Sequence, residues 1–344
     1  MKKAVEQLLE RIYRLAPGLD EEQGMQRHLS RGSFWTLVIH FGHMALVFLT
    51  AYLLTRWLGA EEYGRYTYVY TWLMVLVTAG SIGADDLLLK ELPTYRAKGR
   101  PAHARGLIIH TFRWTLLANL LLALLFAGLL QSGLWPKLSA YRSLFYLLLP
   151  VLPLYALTHW AMAGLRAEQH IITAQWPEKI LRPLLFLALI GGWALWAAAS
   201  PTADTAMGLL ALCLGLIALL YLGLFRQRVW RPLSGTGPAR QEVTAWRSQL
   251  LFFFLLPLLN ILNTRLDILL LGHFTDDVTV GIYSIAAKLS DIIPFSLILF
   301  QNVFSPLYAR YHSTGQLQRL QSLLRRGIRL SLLLALPIAL LLMI

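Results

Sequence analysis

The sequence predicts an all-α integral membrane protein of about nine transmembrane helices, arranged as one six-helix lobe plus a partial second lobe. Three observations carry that reading. Hydrophobic residues fill 57% of the 344 positions and charged residues only 14%, whereas a soluble domain carries roughly 25% charged residues. Nine predominantly apolar segments each approach the ~20 residues needed to cross a ~30 Å hydrocarbon core. Their apolar runs are continuous rather than alternating with period two, which selects helices over a β-barrel.

The elements follow in order. Residues 1–32 read as a cytoplasmic amphipathic segment, because Ala4, Leu8, Ile12 and Leu15 share a helical face away from Lys3, Arg11 and Arg14. Such a segment lies on an inner leaflet; a solvated tail is the alternative. It has no apolar core or small-residue cleavage site and is not a signal peptide. Spans 1 to 6 are 33–57, 66–89, 107–131, 143–164, 180–199 and 204–225, giving a first lobe over 33–225. Trp35, Trp57 and Trp135 sit near span ends, where aromatic rings anchor at the bilayer interface. Residues 226–248 are rich in Pro, Gly and Ser and read as a cytoplasmic linker. A partial second lobe occupies 249–344, with spans 249–271, 281–304 and 328–344. The last is short, with no polar flank after Ile344, so the sequence is expected to be the N-terminal portion of a longer protein.

The net charge of +13 does not mark a nucleic-acid binder. With the N-terminus cytoplasmic, 24 of the 31 basic residues fall on inner segments and four outside: Arg56, Arg65, Lys137 and Arg142. That asymmetry is the positive-inside pattern and orients the chain as a multi-pass protein of an inner or plasma membrane, N-terminus cytoplasmic. Cys213 is the lone cysteine, so no disulfide framework or cysteine-based metal site is available. No phosphate-binding or dinucleotide loop and no His–carboxylate metal pattern appears. The chain is therefore read as a non-enzyme without cofactor or metal.

Leu58-Gly59, Glu61-Glu62, Gly64 and Tyr66 recur as Leu271-Gly272, Asp276-Asp277, Gly281 and Tyr283. A helix–turn–helix unit thus repeats after about 215 residues, as in transporters built from related halves.

Charges within membrane helices cost at least ~2.5–3.5 kcal/mol each, so each needs a partner, a cavity or a role. Span 7 places Asn260, Asn263, Thr264 and Asp267 on one face beside Arg265, and span 8 carries Ser284, Lys288 and Asp291. Folding the two spans back about residue 276 puts the 265–267 and 288–291 groups at similar depth. Thr71, Thr78 and Asp85 share a face of span 2, and His40 and His43 a face of span 1. These eleven residues (Asn260, Asn263, Arg265, Asp267, Lys288, Asp291, Thr71, Thr78, Asp85, His40, His43) are the candidate cavity and substrate-binding set. The competing reading makes the hydroxyl and amide groups packing contacts and Asp267–Lys288 a structural ion pair. Pro257 and Pro294 interrupt spans 7 and 8, where a bend would serve gating.

The stretches RGSFWTLVIHFGHMALVFLTAYLLTRWLGAEEYGRYTYV, SIGADDLLLKELP, RLDILLLGHF and VGIYSIAAKLSD resemble the polysaccharide-transport family. This is the O-antigen flippase type of the multidrug/oligosaccharidyl-lipid/polysaccharide exporter superfamily. The patterns are degenerate and cover nearly the whole chain. The resemblance implies a flippase that moves a polyprenyl-pyrophosphate-linked oligosaccharide from the inner to the outer leaflet by alternating access, with spans 1, 2, 7 and 8 lining the cleft. It also implies membrane lipids and polysaccharide polymerase and ligase enzymes as partners, and no nucleic acid. An ion-coupled multidrug exporter of the same superfamily is the alternative, and a receptor or scaffold a third class.

Overall fold

The computed structural model describes residues 23–197, 200–233, 238–240, 242–291, 311–312 and 315–343. The amphipathic segment before residue 23, Pro294 and most of span 8 lie outside them. Among the described residues every regular element is helical. Five helices are long and apolar enough to cross a membrane, or six if the pair Arg142–Leu148 and Leu152–Ala167, bent by 44°, is one crossing. The first of the five, Val38–Ser81, is 44 residues long and holds most of both span 1 and span 2.

That doubling has a simple cause. Helix α1 (Gln23–Ser81) breaks at Gly59, whose φ of 78° and ψ of 173° are not helical. An L side chain is strained there, so glycine makes the turn. Helix α2 (Ala84–Ala97) starts after Gly83, also left-handed at φ 72°. Helix α3 (Pro101–Ser132) opens with a proline in its first turn and closes on Gly133 at φ 67°, the usual order of start and stop signals. A short turn α4 (Pro136–Ala140) leads to α5 (Arg142–Leu148) and α6 (Leu152–Ala167). Helix α7 (Ile171–Trp176) runs through a π-turn (Pro177–Leu181) into α8 (Arg182–Trp196). The Thr202 hydroxyl caps α9 (Ala203–Phe225) by accepting the Thr205 N–H. Helix α10 (Val243–Phe274) keeps Pro257 inside it, and α11 (Asp277–Ser290) and α12 (Leu317–Met343) follow.

The first residues of the stretch read as a linker are helical. Arg226–Trp230 extends α9 as a π-turn, Arg231–Leu233 adds a 3₁₀ turn, and Val229 and Leu233 are fully buried. Farther on, the Arg240 N–H donates to the Ala102 carbonyl at 3.0 Å, and a Cβ on Gly106 would strike the Arg240 carbonyl oxygen.

The chain divides into two compact units, Gly42–Ile285 on one hand and Met1–Phe41 with Ala286–Ile344 on the other. In the larger unit α6 is central, packing on α2, α3 and α9. Its core joins Leu87, Leu88 and Leu92 of α2, Tyr155, Trp160 and Leu165 of α6, and Leu214 and Tyr221 of α9. The exterior of this unit is apolar: Leu117, Leu121, Leu124 and Leu125 of α3 are all exposed. The buried face of the same helix carries Thr111, Thr115 and Asn119. A helix with its polar groups inward and its leucines outward is built for lipid rather than water. In the smaller unit, α12 buries Leu323 and Ser331.

Candidate functional site

The first helical turn of the second arm of α1 and the first helical turn of α11 cross in contact. A Cβ on Gly64 would lie 1.8 Å from the Asp277 carbonyl oxygen, and one on Gly281 would lie 2.1 Å from the Ala60 carbonyl oxygen. Each glycine is thus covered by the carbonyl one helical turn before the other. The contact is reciprocal in the manner of a local two-fold axis. The two glycines are the pair matched by the sequence repeat. The other matched pair behaves differently: Gly59 makes the break in α1, while Gly272 leaves room for the Tyr68 ring.

Charges tie this crossing together. Arg65 reaches Glu61 at 2.7 Å, Glu62 at 2.9 Å and Asp277 at 3.0 Å. Tyr141 also donates to Asp277; burial first and that bond second hold its hydroxyl well above the usual tyrosine range. The Lys137 ammonium donates to the Thr275 carbonyl at 2.9 Å, and Glu62 accepts the Ala203 N–H at 2.7 Å. Asp276 is exposed, and the Thr279 bonds hold its carboxyl below the usual range. The acidic turn residues of both repeats are therefore spent on joining and shaping the two turns.

The candidate residues fall into four groups. On α10, Asp267 accepts the Tyr283 hydroxyl at 2.8 Å and its own neighbour's N–H from Ile268 at 2.8 Å. Arg265 is half-buried, whereas Asn260 and Asn263 are exposed, and the Thr264 hydroxyl turns back to the Asn260 carbonyl. On α1, Thr71 and Thr78 bond the carbonyls of Thr67 and Met74, one turn earlier. His43 donates its Nδ1–H to the Lys179 carbonyl at 3.0 Å. Asp85, at the start of α2, is half-buried, and its Oδ1 has no hydrogen-bond partner among the described residues. His40, Lys288 and Asp291 belong to the smaller unit; His40 and Lys288 are half-buried and Asp291 is exposed.

Back-bonded threonines contribute little by their hydroxyls, because the carbonyl already serves the helix ladder. Thr71→Ala is expected to leave folded yield and transport near wild type, measured side by side in membranes; a large loss of transport at normal yield would place its hydroxyl on the transported species.

A second polar cluster lies outside the sequence-predicted set. Glu178 and Arg182 pair at 2.8 Å within the π-turn region, both largely buried. Tyr155 of α6 donates to Glu178 at 3.1 Å, and Arg182 donates to the Tyr70 hydroxyl of α1 at 3.1 Å. The π-turn misaligns backbone groups, and Tyr221 of α9 repairs them: its hydroxyl accepts the Glu178 N–H and donates to the Ala174 carbonyl. Side chains from α1, α6 and α9 thus converge on the irregular turn between α7 and α8. π-Turns in long helices are frequent at functional sites. Glu178 Oε2 still has no hydrogen-bond partner among the described residues. The sequence signal is present as Pro177 with a Glu–Arg pair four apart, but it resembles the polar flank of a span.

Among the described residues no group of three or more His, Cys, Asp or Glu side chains is placed to hold a metal ion. A family model described as "Polysaccharide biosynthesis protein" matches residues 29–312. No curated protein sequence matches the chain. Among solved structures, the MATE multidrug transporter DinF-BH, in a ligand complex, superposes with a TM-score of 0.59 at 14% identity, covering 94% of this chain and 73% of that one. A second, designated "protein A", gives 0.58 at 15% identity over 88% and 70% of the two chains. At such identity the likeness concerns the fold, which is that of a multi-pass membrane transporter. The chain belongs to the polysaccharide biosynthesis protein family, within the multidrug/oligosaccharidyl-lipid/polysaccharide exporter superfamily.

Proposed function

We propose that the chain is a flippase carrying a polyprenyl-pyrophosphate-linked oligosaccharide from the inner to the outer leaflet of a bacterial plasma membrane, with its N-terminus cytoplasmic. The observation that carries this reading is the family match over residues 29–312, because the fold alone serves drug exporters equally well. Moving about two negative charges outward across an inside-negative potential is favoured by ~4–5 kcal/mol per 100 mV. Such export needs no nucleotide, and the chain has no nucleotide-binding loop.

An anionic head group requires cations to enter a low-dielectric path. Arg265 is assigned that role on α10, and Lys288 is its sequence-level companion on α11. Asp267 takes a neutral hydroxyl donor from Tyr283, which leaves the charge of Arg265 available to substrate. Arg keeps its charge and bidentate geometry where Lys does not. Arg265→Ala is expected to abolish transport at normal folded yield, and Arg265→Lys to restore it in part.

The competing reading, an ion-coupled multidrug exporter, draws on the structural likeness to such a transporter. Complementation separates the two. Expression in a strain lacking its own glycan-lipid flippase is expected to restore polymer at the cell surface. Drug resistance without surface polymer would replace the proposal with the exporter reading.

A further inference from the structure

On the side of the membrane that the charge pattern places outside, the larger unit has a groove of about 580 Å³. It is lined by Arg56 and Trp57 from α1, Gly191, Ala194 and Leu195 from α8, and Ser200 and Pro201 before α9. The volume is within the ~300–1,000 Å³ of small-molecule clefts. Its depth in the bilayer is marked by tryptophan: Trp57 is on its wall, and Trp193 and Trp196 are exposed on the same end of α8. Tryptophan collects at the headgroup level. Leu195, also exposed, continues the lipid-facing surface of α8.

The charge in this groove is unusual for its side. Of the four basic residues assigned there, Arg65 is committed to three carboxylates and Lys137 to a backbone carbonyl. Arg56 is exposed and forms no ion pair among the described residues; its guanidinium donates to the Tyr52 hydroxyl at 3.3 Å. The room comes from small residues. A Cβ at Gly191 would only touch the Trp57 ring, at 3.5 Å, and one at Gly192 would meet nothing. A guanidinium at headgroup depth, over an apolar floor with a tryptophan wall, matches a lipid phosphate with its first acyl carbons below it.

We infer that this groove binds the phosphate of an anionic phospholipid from the outer leaflet, with Arg56 as the phosphate ligand and the Gly191 surface as the acyl-chain floor. The site does not depend on the proposed glycan substrate. Its occupant packs the outer end of the first arm of α1 against α8 through lipid.

The test uses the purified full chain in vesicles containing phosphatidylglycerol with a photoreactive acyl chain, followed by peptide mapping. Crosslinks are expected in residues 191–201. Arg56→Gln is expected to lower them about tenfold, the effect of one charge-assisted contact of ~1.4 kcal/mol, and Arg56→Lys to keep most of them. Gly191→Leu leaves the charge but fills the floor, and is expected to lower them as well. Crosslinks to the lipid-facing leucines of α3 should not change in any variant and report intact folding. Equal labelling of residues 191–201 in wild type, Arg56→Gln and Gly191→Leu would overturn the site. So would abolition of the labelling by inorganic phosphate at the vesicle surface, which would make the ligand a free anion.

Discussion

Replacing Gly64 by valine is expected to remove the folded protein from the membrane altogether. The new Cβ would stand 1.8 Å from the backbone carbonyl oxygen of Asp277, the first residue of α11. Overpacking by a methylene in a core costs ~1–3 kcal/mol when side chains can shift; here the obstacle is main chain, held by Arg65, Tyr141 and Lys137 through Asp277 and Thr275. Gly281→Val should fail equally, since it meets the Ala60 carbonyl from the opposite side. The double variant should be no worse than either single one, because both break the same contact. Gly215→Ala on α9 is the control: nothing lies within 4 Å of its Cβ position, and alanine favours the helix by ~0.5–1 kcal/mol. Monodisperse yield after detergent extraction reads all four. A well-folded Gly64→Val protein would mean that the two turns do not cross as described.

Arg182→Met should be almost as damaging, for an electrostatic reason. It strands the Glu178 carboxylate inside the lobe with only the Tyr155 hydroxyl and one empty oxygen. Removing one partner of a buried ion pair costs ~3–5 kcal/mol, whereas replacing both with apolar groups is often neutral. Glu178→Leu combined with Arg182→Met should therefore recover folded yield that Arg182→Met alone loses. Transport by that double variant then assigns the pair: near-normal activity makes it a strut for the π-turn, and a folded but inactive protein makes it part of the transport cycle.

The contrast between these two sites shows what the sequence could carry. Membrane spans were legible because lipid removes the need for a polar exterior, so α3 and α9 announce themselves by hydropathy alone. The break at Gly59 was readable as a Leu-Gly turn repeated at Leu271-Gly272, but not the different use of the second glycine. Gly64 and Gly281 were matched as a pair; that they touch is a matter of tertiary geometry, and no local signal encodes it.

Within the candidate site, spacing identified shared helical faces but not what the side chains do there. Thr71 and Thr78 share a face, yet their hydroxyls turn to their own backbone. Asp267 was recognised, while Tyr283 was noted only as a repeat residue, although folding back about residue 276 places it near Asp267. The Glu178–Arg182 cluster was missed because charges at 178, 179 and 182 look like the inner flank of a span beginning at 180. In the structure the helical run starts at Ile171, and Pro177 opens a π-turn within it. Proline in that position reads equally as a helix start, and only the tyrosines donated by α6 and α9 resolve the ambiguity.

The proposed function is movement of a lipid-linked glycan across a bilayer. It is tested most directly by reconstituting the purified chain in liposomes with a fluorescent polyprenyl-pyrophosphate oligosaccharide and adding a membrane-impermeant quencher outside. The glycan-lipid of the inner leaflet is expected to become quenchable with wild-type protein, more slowly with Arg265→Lys, and only at the rate of protein-free liposomes with Arg265→Ala. Inner-leaflet glycan-lipid that stays protected from quenching, in liposomes where the same protein moves a cationic dye, would contradict it.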